Sequence, residues 1–156
     1  MAAFARHGGL TKGSHIMEGI NSRMDGIQAA ILNVKLPLLE SWTLKRKEIA
    51  NKYIEFLDEI SEIILPFERS DSSHVWHLFV IRTKRRDELK EYLEKNEVQT
   101  VIHYPIPPHK QKCYKKLNNL KFRITEKIHK EVLSLPISPN LAEKDMVTIV
   151  DLINKF

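Results

Sequence analysis

Seven histidines and one cysteine are the side chains here best suited to metal or nucleophilic chemistry, and their spacing argues against both. His74 and His77 stand three apart in or beside an apolar run. On a strand that odd spacing sends them to opposite faces, so they do not share an ion. His109 and Cys113, four apart, meet on one face of a helix. They supply two ligands, where a zinc site usually draws three or four groups from the protein. Cys113 lies between Lys112 and Tyr114 with no nucleophile motif around it, and reads as an inert thiol. No Gly-x-Gly-x-x-Gly, phosphate-cradling loop or His-Glu-x-x-His pattern occurs. The 20 acidic residues scatter over helix surfaces without forming an assignable pair.

Two segments carry more specific chemistry. In the first, Asn21 and Arg23 stand where a helix is about to begin, putting an amide and a guanidinium beside free backbone N–H groups. That combination suits a phosphate. The plainer alternatives are a helix cap for Asn21 and a solvated charge for Arg23. In the second, His103 and Tyr104 sit where a strand ends and Pro105 breaks the ladder, a common place for ligand contacts. A core tyrosine beside an edge histidine fits the same spacing, and spacing alone leaves both open.

The elements that position these segments follow from periodicity. All five glycines lie within the first 26 residues and all seven prolines at Pro37 or later, which separates a Gly-rich arm (1–20) from a conventionally folded remainder. A helix is predicted after Asn21-Ser22, with Ser22-x-x-Asp25 at capping-box spacing. Met24, Ile27, Ile31, Val34 and Leu38 then form one apolar stripe. Pro37 lacks an N–H and should kink the helix or start a second segment, which continues through Trp42, Ile49, Tyr53, Phe56 and Leu57. The two segments (21–58) would reach about 55 Å at ~1.5 Å per residue, a length suited to linking one domain or subunit to another.

The remainder (59–156) alternates strand and helix. Val75–Ile81 is an apolar run expected to form a strand covered on both faces. Arg86–Lys95 is a helix with Leu89, Tyr92 and Leu93 inward, and Val98–Tyr104 is a second strand. Pro107-Pro108 opens a short helical stretch through Tyr114, and a helix near Thr125–Leu133 follows. A last helix starts behind Asn140-x-x-Glu143 and buries Met146, Ile149, Val150 and Ile153. This alternation argues for an α/β sandwich, a small sheet flanked by helices.

Composition bounds the function class. The chain has 156 residues, 42% apolar and 29% charged, enough for one globular domain with a sizeable core. A single cysteine excludes an internal disulfide and requires no oxidising compartment, so a cytoplasmic location is expected. No apolar run approaches the roughly 18 residues that span a bilayer, and Met1–Gly9 does not read as a signal peptide. The net charge of +5 suits anionic partners. A nucleic-acid surface is disfavoured, because Asp87, Glu88, Glu91 and Glu94 interleave directly after the cluster Arg82, Lys84, Arg85, Arg86.

Taken together, Asn21-Ser-Arg23-Met-Asp25-x-x-Gln28-Ala-Ala30, preceded by Arg6-His7-Gly8 and Lys12-x-x-His15, resembles the hallmark of the DegT/DnrJ/EryC1/StrS aminotransferases. His103-Tyr104-Pro105-x-Pro107 with His109 resembles the same family's later motif, and the similarity runs from Arg6 to the end. The resemblance implies the C-terminal small domain of a fold-type-I pyridoxal phosphate aminotransferase with a long linking helix, and a homodimer. It also implies amino transfer from glutamate to a keto sugar on a nucleotide, for polysaccharide or antibiotic synthesis. Asn21 would reach across the dimer to the partner's cofactor phosphate, with Arg23 in the same trans position, and His103 and Tyr104 would contact the nucleotide sugar. In that family the lysine that binds the cofactor covalently lies upstream of the position matching Arg6, and Lys12 matches a different lysine. The chain alone is therefore expected neither to bind pyridoxal phosphate tightly nor to transaminate. A non-catalytic nucleotide-sugar-binding or regulatory module is the alternative.

Overall fold

The computed structural model describes residues 16–19 and 24–156. Asn21, Arg23 and the Gly-rich arm apart from 16–19 lie outside the described residues. The chain divides into two compact units, Met1–Leu39 and Glu40–Phe156.

In the first unit, helix α1 (Gly26–Lys35) begins behind Asp25, whose extended backbone makes it the N-cap. Ser22, the expected cap, lies outside the described residues. Asp25 caps this helix together with Gln28, three residues on, whose side-chain oxygen accepts the Asp25 N–H at 3.4 Å. No residue of α1 is buried. Its expected stripe lies in the open: Ile27 is 78% exposed, Ile31 51% and Val34 73%. After Lys35 the backbone tightens into a 3-10 turn, Leu36–Leu38, around Pro37. Pro at the start of a helical turn forgoes an N–H that has no partner there in any case.

Helix α2 (Leu39–Leu57) buries Ala50, Tyr53 and Leu57, spaced three and four apart. Phe56, expected to face inward, is 46% exposed, and Ala50 holds the inner position next to Tyr53. Strand β1 (Phe79–Arg82) is shorter than the expected Val75–Ile81. The reason is Trp76, whose φ of 49° is left-handed and cannot continue an extended chain. Nor is β1 covered on both faces: Phe79 and Ile81 are buried while Val80 and Arg82 are half-buried.

Helix α3 (Arg86–Lys95) matches the expected span and buries Leu89 and Leu93. It ends where Glu97 turns left-handed, with φ 63°, and the Val98 N–H folds back onto the Leu93 carbonyl at 2.9 Å. That commitment removes the start of the expected strand Val98–Tyr104, which survives only as a bridge at Val101. Two 3-10 turns follow, Pro108–Lys110 and Lys112–Leu117, in place of one short helix.

Helix α4 (Arg123–Glu131) is succeeded at once by strand β2 (Val132–Leu135), all four of whose residues are buried. The expected helix Thr125–Leu133 includes Val132 and Leu133. A short apolar run satisfies helix and buried-strand spacing equally, and here sheet pairing decides. β2 pairs antiparallel with β1, Phe79 opposite Leu135 and Arg82 opposite Val132. Ile64 bridges Arg82 on the outer side of β1, and Val101 bridges Ser134 on the outer side of β2. Helix α5 (Glu143–Lys155) buries Met146, Ile149, Val150 and Ile153 as expected, but its N-cap is Ala142. Asn140 belongs to the turn before it, where its N–H donates to Ser138 Oγ at 3.2 Å.

The core joins α2, the sheet, α3 and α5. The Phe79 ring lies 5.0 Å from Tyr53 and 5.5 Å from Trp76, between centroids. Burial pushes the Tyr53 phenol well above its ordinary pKa, and its O–H donates to the Pro136 carbonyl at 2.9 Å. This is the expected α/β arrangement, a small sheet flanked by helices.

Candidate functional site

The motif His103–His109 emerges from the Val101 bridge at the edge of β2. His103 is half-buried, with Nδ1 2.8 Å from the hydroxyl oxygen of Ser134. Its ring meets that of Tyr104 edge-on, 5.5 Å between centroids at 88°, and Tyr104 is 67% exposed. The carbonyl of Tyr104 accepts a 2.5 Å bond from His129 Nδ1–H, which ties the motif to α4. A carbonyl cannot donate, so that His129 nitrogen carries the proton. The structure thus brings His103 and Tyr104 together as one tip, one ring sheltered and one in solvent.

His109 belongs to the support instead. It is 5% exposed, and its Nε2–H donates to Glu126 Oε1 at 2.9 Å, while the Phe122 N–H donates to the same oxygen at 3.1 Å. Lys110 Nζ donates to the carbonyls of Asn118 (2.6 Å) and Leu120 (3.0 Å), and Gln111 Nε2 to that of Ile106 (3.1 Å). These bonds close the loop between the motif and α4. His109 and Cys113 do not share a helix face: Gln111 is extended between the two turns, and Cys113 is exposed. Among the described residues no three His, Cys, Asp or Glu side chains converge on a metal position.

The bond from His109, then that from the Phe122 N–H, holds the Glu126 carboxyl below its ordinary pKa near 4.5. A carboxyl depressed on folding contributes stability above its ordinary value and loses it as pH falls through the depressed one. Glu126→Gln should therefore unfold at lower urea than the parent near neutral pH, with the gap closing well below pH 4.5. Urea midpoints at the two pH values check this, and a gap independent of pH contradicts it.

The three arginines of the cationic cluster are paired. Arg82 binds Glu131 (2.8 Å), and Arg85 binds Glu88 (2.9 Å) and Glu62 (3.3 Å). Arg86 is nearly buried and donates to Asp87 (2.6 Å) and to the carbonyls of His129 and Val132 (both 3.4 Å), bracing the corner from α4 into β2. A cavity of about 460 Å³ at this end mixes Arg82, Lys84, Arg85 and Lys127 with Glu62 and Glu131.

Two site residues escaped the sequence. Ser134 directly follows the expected helix Thr125–Leu133, and His129 falls inside that helix with no motif around it. The one available signal was a lone serine within Val132-Leu-Ser-Leu135, where an apolar residue would serve a buried strand as well.

The described residues do not by themselves fit pyridoxal phosphate. That cofactor needs a sheltered lysine and a carboxylate against its ring nitrogen, and no described lysine or aspartate is buried. No helix among the described residues is long and apolar enough to cross a membrane.

Comparison with known proteins places this architecture. The model of the DegT/DnrJ/EryC1/StrS aminotransferase family matches residues 1–154. A dTDP-3-amino-3,6-dideoxy-alpha-D-galactopyranose transaminase of Aneurinibacillus thermoaerophilus is 44% identical over 150 residues, which cover 96% of this chain and 41% of the relative. A pleiotropic regulatory protein of Geobacillus stearothermophilus is 38% identical over 154 residues, covering 96% of this chain and 41% of that protein. The crystal structure of S. venezuelae DesV in complex with a ketimine intermediate superposes with a TM-score of 0.87 at 36% identity, over 97% of this chain and 42% of that one. The chain thus spans about two fifths of the length of these relatives. It belongs to the DegT/DnrJ/EryC1/StrS aminotransferase family, of which it represents a C-terminal portion.

Proposed function

We propose that this chain is the substrate-side portion of a nucleotide-sugar aminotransferase that moves an amino group from glutamate to a keto sugar in the cytoplasm. The carrying observation is the His103–Tyr104 tip, a positioned imidazole beside an exposed phenol ring in a family whose relatives include a nucleotide-sugar transaminase. His103 offers a ring nitrogen to a diphosphate or sugar oxygen, and Tyr104 offers an apolar ring face and a hydroxyl. Asn21 and Arg23 serve the phosphate of a cofactor held by the other subunit of the whole enzyme, so the working unit is a homodimer of that enzyme. On this reading the 156 residues alone neither hold pyridoxal phosphate tightly nor transaminate. Titration with thymidine diphosphate glucose tests the binding role. The chain should saturate, and His103→Ala or Tyr104→Ala should weaken binding about tenfold or more, as for loss of a hydrogen bond to a charged group. Affinity indifferent to both substitutions would overturn the assignment.

The name of the Geobacillus stearothermophilus relative favours a second reading, a non-catalytic nucleotide-sugar-binding or regulatory module. It expects the same affinity in a monomer, whereas the first expects the apolar stripe of α1 to be covered by a second copy.

A further inference from the structure

We propose that Ser134 is a positioning residue that aims the His103 ring at the nucleotide-sugar ligand; the proposal rests on the binding role given above to His103. Ser134 is 5% exposed and stands between buried Leu133 and Leu135. Its backbone is committed: the N–H donates to the Val101 carbonyl at 2.8 Å, and its carbonyl accepts the Val101 N–H at 3.3 Å. The hydroxyl is what remains, and it lies 2.8 Å from His103 Nδ1. Burying a hydroxyl costs free energy unless it is hydrogen-bonded, and alanine would pack this strand without that cost. The partner that accounts for serine here is His103.

The choice of a hydroxyl has a chemical consequence. A carboxylate at this position would favour the protonated ring, and a carbonyl would fix the proton on Nδ1. A serine hydroxyl both donates and accepts, so it holds the ring in either neutral tautomer or as the cation. Among the described residues Nε2 of His103 has no partner. Ser134 therefore sets where the ring points and leaves Nε2 free to donate to a phosphate oxygen or accept from a sugar hydroxyl. The Val101 bridge and the His129 bond to the Tyr104 carbonyl fix the backbone on either side, which leaves ring rotation as the freedom that Ser134 removes.

The test combines histidine-ring nitrogen NMR with titration of thymidine diphosphate glucose, on the whole chain and its Ser134→Ala and Ser134→Thr variants. Ser134→Ala should move the His103 Nδ1 resonance toward that of an unbonded imidazole and weaken binding about threefold to tenfold. Ser134→Thr, which keeps the hydroxyl, should restore both. In a His103→Ala background, Ser134→Ala should change affinity no further. An unmoved His103 resonance in Ser134→Ala overturns the proposal, and so does an equal affinity loss in the His103→Ala background. If the parent chain takes no nucleotide sugar, the functional reading fails, and the ring spectra alone decide whether Ser134 orients His103.

Discussion

Trp76→Ala should cost about 3–5 kcal/mol, the range for deleting a large aromatic side chain from a packed core. Trp76 is 1% exposed, with its ring tilted against those of His74, at 4.1 Å between centroids, and Phe79, at 5.5 Å. Total stabilities of about 5–15 kcal/mol make this a large fraction of the whole. With a urea slope of ~1–3 kcal/mol/M, the midpoint should fall by about 2 M while the slope stays the same. Tryptophan and alanine pay the same backbone penalty at a φ of 49°, so their difference reads packing alone. Trp76→Gly removes one carbon more, the Cβ, yet relieves a left-handed strain of about 1–2 kcal/mol, which roughly offsets glycine's greater entropy loss. It should therefore be no less stable than Trp76→Ala. A midpoint shift below about 0.5 M for Trp76→Ala, or a Trp76→Gly variant clearly worse than it, contradicts this placement.

The same residue shows where the sequence was legible and where it was not. Long periodic elements came through: α3 matches Arg86–Lys95, and α5 buries Met146, Ile149, Val150 and Ile153 as their spacing required. Short apolar runs did not. Val75–Ile81 reads as an unbroken strand, and only the left-handed backbone at Trp76, a tertiary property, stops it. Val132-Leu133 fits either period, and pairing with β1 settles it. The last helix begins behind Ala142, two residues past the expected Asn140, because the turn before it holds Asn140 through its N–H to Ser138 Oγ. Within the candidate site, His103 and Tyr104 were visible through their motif. Ser134 and His129 were not, because they reach the tip from 31 and 25 positions away and no local pattern encodes that closure.

Replacing Ile27, Ile31 and Val34 with lysine should convert the chain from a self-associated species to a monomer. These residues lie on the exposed stripe of α1, and burying each against a second copy contributes about 1.5–3 kcal/mol. A contiguous apolar face of this kind marks a contact surface. Losing three such contacts, and placing lysines against an apolar partner, should weaken dimerisation about a thousandfold or more. No residue of α1 is buried, so the substitutions leave the core residues of the second unit untouched, and the urea midpoint measured on dilute protein should hold. Sedimentation across a concentration series checks both parts. A parent chain that stays monomeric at high concentration contradicts the homodimer and favours the binding-module reading.

On the proposed reading the chain carries the substrate side of the site, and the lysine that holds the cofactor belongs to another part of the enzyme. Borohydride reduction of the folded chain with pyridoxal phosphate, followed by peptide mass mapping against an unfolded control, tests it most directly. Labelling should be low, scattered over many lysines and no different from the control. One lysine trapped stoichiometrically in the folded chain only would contradict it.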